Sequence, residues 1–421
     1  MLDVASHVQN LGEGAMFKLA VFKLVDAVTG TVPSGEQAEF SKQCSELSEQ
    51  AKAPELIRKL LGQSEAILAL DNPGDVEGMF VLLFSLLHKT EDAVAAMPVL
   101  AVEIGEALTS KQDGRAALRL KLATQLYNML PSRNPGQLEL LLIIIRFAAE
   151  AGLLSMLSSF FEGVEDWIKE RELNVTDQRR LLILVADVLE ETGQNNDSQR
   201  FLLKYLATFE GAPREELVSV KGAAARCAVG AVKAPIVSFT DKHNLLGLQA
   251  VEQLQGDPQH SSLYELLRIF AEGKLVDYTA YLKANQATLT SAGISHDNCV
   301  ANMRLLSLCS LAAEHEEVPY AAVAETLQVD LEDVEEWVLL AIGSGLMEAK
   351  MDQLRQVVVI SRCVNRVFGK EQWLALQKKL RTWSQNVEAM LATVQRTNDL
   401  YAKRASGGQS QMGVNGAGQG E

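Results

Sequence analysis

Apolar residues between positions 331 and 360 follow a helical spacing first and an alternating spacing afterwards. The helical part repeats them at steps of three and four, at Leu331, Val334, Val338 and Ile342. That spacing predicts a helix with one buried face. Beyond it lie two glycines, a segment in which apolar and polar residues alternate, and a β-branched run, which together predict a pair of strands. Helix followed by hairpin is the order found in the second half of a winged helix.

The segment before position 331 supplies the other parts of that motif. Residues 299–313 carry apolar side chains along one helical stripe, and residues 318–327 form a second amphipathic segment. Together with the helix at 331–342, three helices then precede the hairpin. We therefore predict a winged helix over residues 296–370.

Upstream of the winged helix, residues 75–295 show a regular series of apolar helical segments. The gaps between them contain Gly, Pro, Asn or Asp, and helices joined by such short connections lie antiparallel. A long series of antiparallel helices stacks as a superhelix, so an α-solenoid of helical repeats is predicted here. Gly152 and Gly193 are placed to end helices in the left-handed conformation, and residues 1–74 are expected to form several short helices. The predicted segments up to residue 271 are 75–88, 91–109, 115–130, 137–151, 153–171, 176–192, 198–209, 214–232, 241–254 and 261–271.

A heptad repeat of apolar residues follows the winged helix. One position of the repeat is apolar every seven residues from Trp373 to Tyr401, and the alternate position is polar only at Thr397. This pattern predicts one long helix over 371–404 with an apolar seam about 40 Å long. Such a seam packs either on the chain's own domain or on a neighbouring subunit, and its length favours the neighbour. Residues 405–421 are rich in glycine and polar side chains, which predicts a disordered tail.

Composition favours a mostly α-helical protein. Aromatic residues make up 6% of the chain, whereas hydrophobic residues make up 48%, and abundant Leu and Ala suit helix packing. The five cysteines lie far apart, unlike the disulfide framework of a secreted protein. The first residues do not resemble a secretion signal, and the most apolar run, 138–154, is interrupted by charges. We expect a cytoplasmic protein that does not contact membranes.

Charge is distributed unevenly along the chain. The net charge is −15, yet residues 350–404 carry eleven Lys and Arg against four Asp and Glu. Only this C-terminal region therefore suits an anionic partner. Non-specific RNA contact is one alternative, with Lys378, Lys379 and Arg381 as candidate contacts, and a solvated or subunit-binding basic face is favoured over it. Reading of a DNA groove is not expected, because the third helix of the winged helix displays acidic side chains where phosphates would lie. The acidic side chains of the third helix are Glu332, Asp333, Glu335 and Glu336. The eleven basic residues of 350–404 are Lys350, Arg355, Arg362, Arg366, Lys370, Lys378, Lys379, Arg381, Arg396, Lys403 and Arg404.

Catalytic, metal-binding and phosphate-binding motifs are not expected in this sequence. The six histidines are dispersed, and His296 with Cys299 lacks the paired spacing of metal ligands. Cys309 lies in the middle of an apolar stripe, where a thiol is normally inert. Gly369-Lys370 lacks the upstream glycine of a phosphate-binding loop. We expect neither an enzyme nor a bound cofactor.

The predicted wing resembles a known family. Residues 345–353, which read GLMEAKMDQ, and the following Val357-Val358-Val359 resemble the wing of the PCI domain, a winged helix that ends a helical-repeat body. Subunits of the proteasome lid, the COP9 signalosome and translation initiation factor 3 share this domain. Three passages, 115–128, 302–308 and 368–386, are similar to a subunit of initiation factor 3, and the other two complexes are the alternatives.

The resemblance implies a non-catalytic scaffold subunit. Its implied partners are other PCI subunits and MPN subunits of the same complex, and through that complex the small ribosomal subunit and messenger RNA. PCI subunits associate through the sheets of their winged helices and through bundled C-terminal helices. Val357 and Val359 are then expected on a strand with an unpaired edge, and the heptad residues on the bundle face. The candidate bundle residues are Trp373, Leu376, Leu380, Trp383, Val387, Met390 and Val394.

Overall fold

A computed structural model shows a mostly helical protein with one small sheet, and the predicted fold class is confirmed. The chain divides into two compact units, Met1–His260 and Ser261–Glu421. The described residues are 13–33, 35–50, 52–88, 90–111, 114–131, 134–235, 245–366 and 370–408.

Helices form the described part of the first unit. They pack on their neighbours in sequence, with α6 and α7 against α8, α8 against α10, and α10 against α11, as expected for stacked helical repeats. Gly152 and Gly193 have φ angles of 68° and 79°, which confirms the predicted left-handed helix ends. The helices are α1 Glu13–Thr29, α2 Gln37–Glu49, α3 Ala53–Leu61, α4 Ser64–Leu68, α5 Pro73–Leu86, α6 Glu91–Leu108, α7 Ala116–Met129, α8 Gly136–Glu150, α9 Ser158–Arg171, α10 Val175–Glu191, α11 Asn195–Ala207, α12 Arg214–Ser219, α13 Lys221–Lys233 and α14 Gln249–Glu252.

Two of the predicted helices in this unit are wrong in extent. The segment predicted at 214–232 is two helices, because the backbone leaves the helical conformation at Val220 (φ −102°, ψ 8°). The segment predicted at 241–254 begins outside the described residues, and its remainder is a succession of short turns around α14. Apolar spacing alone does not locate the break at Val220, because α12 buries none of its residues and its apolar side chains therefore mark no buried face.

The second unit contains the winged helix. The three helices expected before the hairpin are α17, α18 and α19, and the hairpin is β2–β3. A short strand, β1, precedes α18, and it escaped sequence analysis because three residues ending in Pro319 carry too little of an alternating pattern. The elements are α15 Ser261–Glu272, α16 Leu275–Ser291, α17 His296–Glu314, β1 Glu317–Pro319, α18 Tyr320–Leu327, α19 Val334–Gly343, β2 Met347–Asp352, β3 Val357–Cys363 and α20 Lys370–Gly408.

The sheet has the strand order β1-β3-β2, and both pairings are antiparallel. Val357 and Val359 therefore lie on the central strand, where they pair with Pro319 and Glu317 of β1 and with Asp352 and Lys350 of β2. The expectation that β3 offers an unpaired edge is wrong. The added strand β1 covers the edge that the hairpin alone would leave open.

The long C-terminal helix α20 is present as one element. It runs four residues beyond position 404, into the glycine-rich segment predicted to be disordered. Residues 409–421, the rest of that predicted tail, lie outside the described residues.

Candidate partner-binding surfaces

Strands β1 and β2 are the two edges of the sheet, and β2 is the longer of them, at six residues against three. Tyr320 donates its amide to Gln356, and Ile360 donates its amide to Glu316. Even-numbered residues of β3 thus bond β1, and because antiparallel bonding alternates, odd-numbered residues there bond β2. On β2 this leaves the amide and carbonyl of Met351 pointing away from the sheet. The unpaired edges of the sheet therefore lie on β1 and β2, each one strand away from Val357 and Val359.

Helix α20 exposes the apolar stripe that the heptad pattern predicted. The seven stripe residues are between 37% and 68% exposed, and Trp383 and Met390 are the most exposed of them. Burying an apolar side chain of this size is worth about 1.5–3 kcal/mol, so the exposed stripe forgoes a large stabilisation. The intrachain packing that sequence analysis left as an alternative is not seen for these residues. They are Trp373, Leu376, Leu380, Trp383, Val387, Met390 and Val394.

The basic residues of the C-terminal region occupy different environments. Lys378, Lys379 and Arg381 are exposed on α20, as a binding face for anions requires. Arg366, in contrast, is largely buried, and its guanidinium donates to the carbonyls of Phe270 (2.6 Å) and Gly273 (3.0 Å). Burial lowers the pKa of Arg366 to about 10. This arginine belongs to the interior of the second unit and not to the predicted basic face.

Arg355 and Arg362 of the wing are paired with carboxylates. Arg355 lies 3.0 Å from Glu317 of β1, and Arg362 lies 3.6 Å from Glu348 of β2. Both pairs are exposed, so each contributes little stability. The pairs nevertheless reduce the positive charge that the wing presents, which leaves α20 as the main basic candidate.

Helix α19 and the turn before it are acidic on their solvent side. Glu332, Asp333 and Glu336 are exposed, whereas Glu335 accepts hydrogen bonds from the hydroxyl of Tyr320 (3.1 Å) and the amide of Gln353 (2.9 Å). Burial, and next the hydrogen bond to Glu335, raises the pKa of Tyr320. Phosphates would be repelled from this helix, which agrees with the prediction that it does not read DNA.

Metal-ligating side chains are dispersed in the part of the chain that the structure describes. Its His, Cys, Asp and Glu residues form no cluster of three or more that would hold a metal ion. His296 instead lies 3.0 Å from the hydroxyl of Tyr278 and stacks on that ring. Among the described helices, none is both long enough and apolar enough to cross a bilayer.

Known families match the second unit. The model described as PCI domain matches residues 282–362, and the model described as eIF3 subunit M, C-terminal helix, matches residues 366–394. The first match ends one residue before the end of β3, and the second covers the part of α20 that carries the exposed stripe. Residues 282–362 of the second unit therefore match the PCI domain.

Similarity to curated proteins extends over most of the chain. It is 27% identical over 408 residues to eukaryotic translation initiation factor 3 subunit M of Dictyostelium discoideum, covering 95% of this chain and 94% of the relative. It is 28% identical to the subunit M of Chaetomium globosum, covering 85% and 87%, and 28% identical to that of Danio rerio, covering 77% and 84%. The chain thus resembles subunit M of initiation factor 3 in both units, and the predicted resemblance is confirmed.

Proposed function

We propose that this chain is a non-catalytic scaffold subunit of translation initiation factor 3. In this proposal it assembles with other PCI subunits and MPN subunits, and the assembled complex supports recruitment of the small ribosomal subunit and messenger RNA. The observation that carries the proposal is the exposed apolar stripe on α20, which coincides with a helix characteristic of subunit M. A face of this kind on a helix is a contact for other helices.

Affinity purification of the full chain from cells tests this assignment. Mass spectrometry is expected to recover other initiation factor 3 subunits together with proteins of the small ribosomal subunit. Recovery of COP9 signalosome or proteasome-lid subunits would instead move the chain to one of those complexes. Recovery of the chain alone would overturn the scaffold proposal.

The β2 edge is the second proposed contact, in place of Val357 and Val359. A Met351→Pro variant removes an outward amide while the bonds of β2 to β3 stay in place, since proline is tolerated on a strand edge whose N–H faces solvent. We expect reduced co-purification of a neighbouring PCI subunit, with an unchanged helical circular dichroism spectrum. Met351→Ala shortens the side chain but keeps the amide, and it is the matched control. An equal loss of co-purification in both variants would assign the contact to the Met351 side chain. It would contradict a contact made by the backbone edge of β2.

RNA binding is the second candidate function, favoured by the exposure of Lys378, Lys379 and Arg381. If these residues contact phosphates, binding of single-stranded RNA to the full chain weakens with salt. Replacement of all three by Gln is then expected to reduce the slope of log affinity against log salt by about 2, at about 0.7 per lost contact. An unchanged slope would leave these side chains as a solvated face. The measurement is fluorescence anisotropy over a series of salt concentrations.

A further inference from the structure

The second unit brings together two cysteines that are 54 positions apart. Cys309 lies in the interior of α17, and Cys363 is the last residue of β3; their sulfur atoms are 3.3 Å apart. The thiol of Cys309 also lies 2.9 Å from the carbonyl oxygen of Val364. We propose that Cys309 and Cys363 are a modification site at which hydrogen peroxide forms a disulfide.

Solvent reaches this pair from one side. Cys309 is 1% exposed, while Cys363 is partly exposed and lines a cavity of about 240 Å³ beside Leu346, Met347 and Val364. Hydrogen peroxide is close to water in size, so this cavity admits it to the sulfur of Cys363, which is in contact with the sulfur of Cys309.

The contact between the two cysteines, together with a nearby arginine, lowers the pKa of one of them. Arg366 is buried among carbonyl oxygens, and it forms no ion pair with a carboxylate in the described part of the chain. The hydrogen bond with Cys363 has the largest effect on the pKa of Cys309 and lowers it. Burial opposes this effect and the charge of Arg366 adds to it, so that the pKa of Cys309 is lowered on balance. The same hydrogen bond, followed by burial, raises the pKa of Cys363. A thiol of lowered pKa in contact with a second thiol is an arrangement from which oxidation forms a disulfide.

The chemistry balances with peroxide as the oxidant. The thiolate attacks one peroxide oxygen, the O–O bond breaks, and the departing hydroxide takes a proton to become water, which leaves a sulfenic acid. The second sulfur then attacks the oxidised sulfur as its own proton leaves, the S–O bond breaks, and a second water is released. Two thiols are oxidised, and one peroxide is reduced to two waters. A rotation about the Cys side chains brings the sulfurs from 3.3 Å to the bonding distance of about 2.05 Å.

The other three cysteines, Cys44, Cys227 and Cys299, act as internal comparisons. Burial raises the pKa of Cys44 and, although Tyr278 opposes it, that of Cys299. Cys227 is fully buried, and the side-chain amide of Gln199 lies 3.3 Å from its sulfur. We expect these thiols to survive a peroxide dose that oxidises the pair.

Treatment of the purified full chain with equimolar hydrogen peroxide tests the proposal. The number of free thiols in the unfolded protein is expected to fall from five to three, and dithiothreitol is expected to restore all five. Peptide mapping without reduction should recover one cross-linked peptide containing Cys309 and Cys363. Sulfinic acid on Cys363 with Cys309 still free, or equal loss of all five thiols, would overturn the proposal.

Two variants separate the site from general oxidation. Cys363→Ser removes a partly exposed thiol, so the fold is expected to survive, and no cross-linked peptide should form. Cys299→Ser removes a buried thiol from α17, the helix that carries Cys309, and the cross-link should persist. The peptide map of the wild-type chain needs no substitution. If a variant fails to fold, the wild-type map alone can still contradict the proposal.

Discussion

A Trp383→Glu variant is expected to separate the chain from its neighbouring subunits without unfolding it. Trp383 is 68% exposed in the middle of the α20 stripe, so glutamate there costs little within the isolated chain. In an interface, buried aromatic anchors contribute about 2 kcal/mol or more, which corresponds to a roughly thirtyfold loss of affinity. An added carboxylate also carries a desolvation cost. Co-purification followed by quantitative mass spectrometry measures the loss.

Gln385→Glu is the matched control for that variant. Gln385 is exposed on α20, two positions from Trp383 and therefore on the opposite side of the helix. Gln385→Glu gains the same negative charge as Trp383→Glu, but its side chain hardly changes shape. Normal co-purification of Gln385→Glu beside loss for Trp383→Glu would assign the contact to the apolar stripe. Normal co-purification of both would contradict the proposed role of α20.

Local patterns predicted the helices and the stripe, because each is encoded by residues only a few positions apart. The heptad residues from Trp373 to Val394 share a face whatever surrounds them, and their exposure agrees with the intersubunit reading. The order of three helices and a hairpin was likewise visible from the spacing around Val334 and Val338.

Features that depend on distant parts of the chain escaped sequence analysis. β1 gave no signal of its own, and its pairing with β3 leaves β1 and β2 as the edges of the sheet. Arg366 looked like one of many surface cations, although packing against Phe270 and Gly273 buries it. Cys309 was predicted to be inert from its apolar stripe, since nothing local indicates that Cys363 lies beside it. Tertiary neighbours, and not residue type, determine the ionisation of these groups.

An ion pair that joins three helices of the first unit likewise depends on residues far apart in the sequence. Its removal is expected to cause a large loss of stability. Arg119 of α7 is fully buried and contacts both carboxylate oxygens of Glu65 in α4, at 3.1 and 3.0 Å. It also donates to the carbonyl of Leu108, the last residue of α6 (3.1 Å). Loss of the carboxylate takes a counter-charge away from a buried cation, which is costly in a protein interior.

We therefore expect Glu65→Gln to lower the free energy of unfolding by about 2 kcal/mol at neutral pH. This is less than the 3–5 kcal/mol found for fully buried pairs, because Glu65 is 37% exposed and Gln keeps one acceptor. Glu103→Gln is the matched control: Glu103 pairs with Arg58 at 2.8 Å, but both side chains are solvent-accessible, so its loss should be under about 1 kcal/mol. Equal losses in urea unfolding would contradict a special role for the buried arginine.

The pH dependence distinguishes this ion pair from a packing effect. The hydrogen bond from Arg119 lowers the pKa of Glu65 from its usual 4.5. A carboxyl with a lowered folded-state pKa contributes its full stability above the usual value and loses it as pH falls through the folded-state pKa. The difference between wild type and Glu65→Gln should therefore be constant above pH 4.5 and shrink as pH falls further below it, because wild-type Glu65 then becomes neutral as well. A difference that does not change with pH would show that the lost stability comes from packing and not from the carboxylate charge.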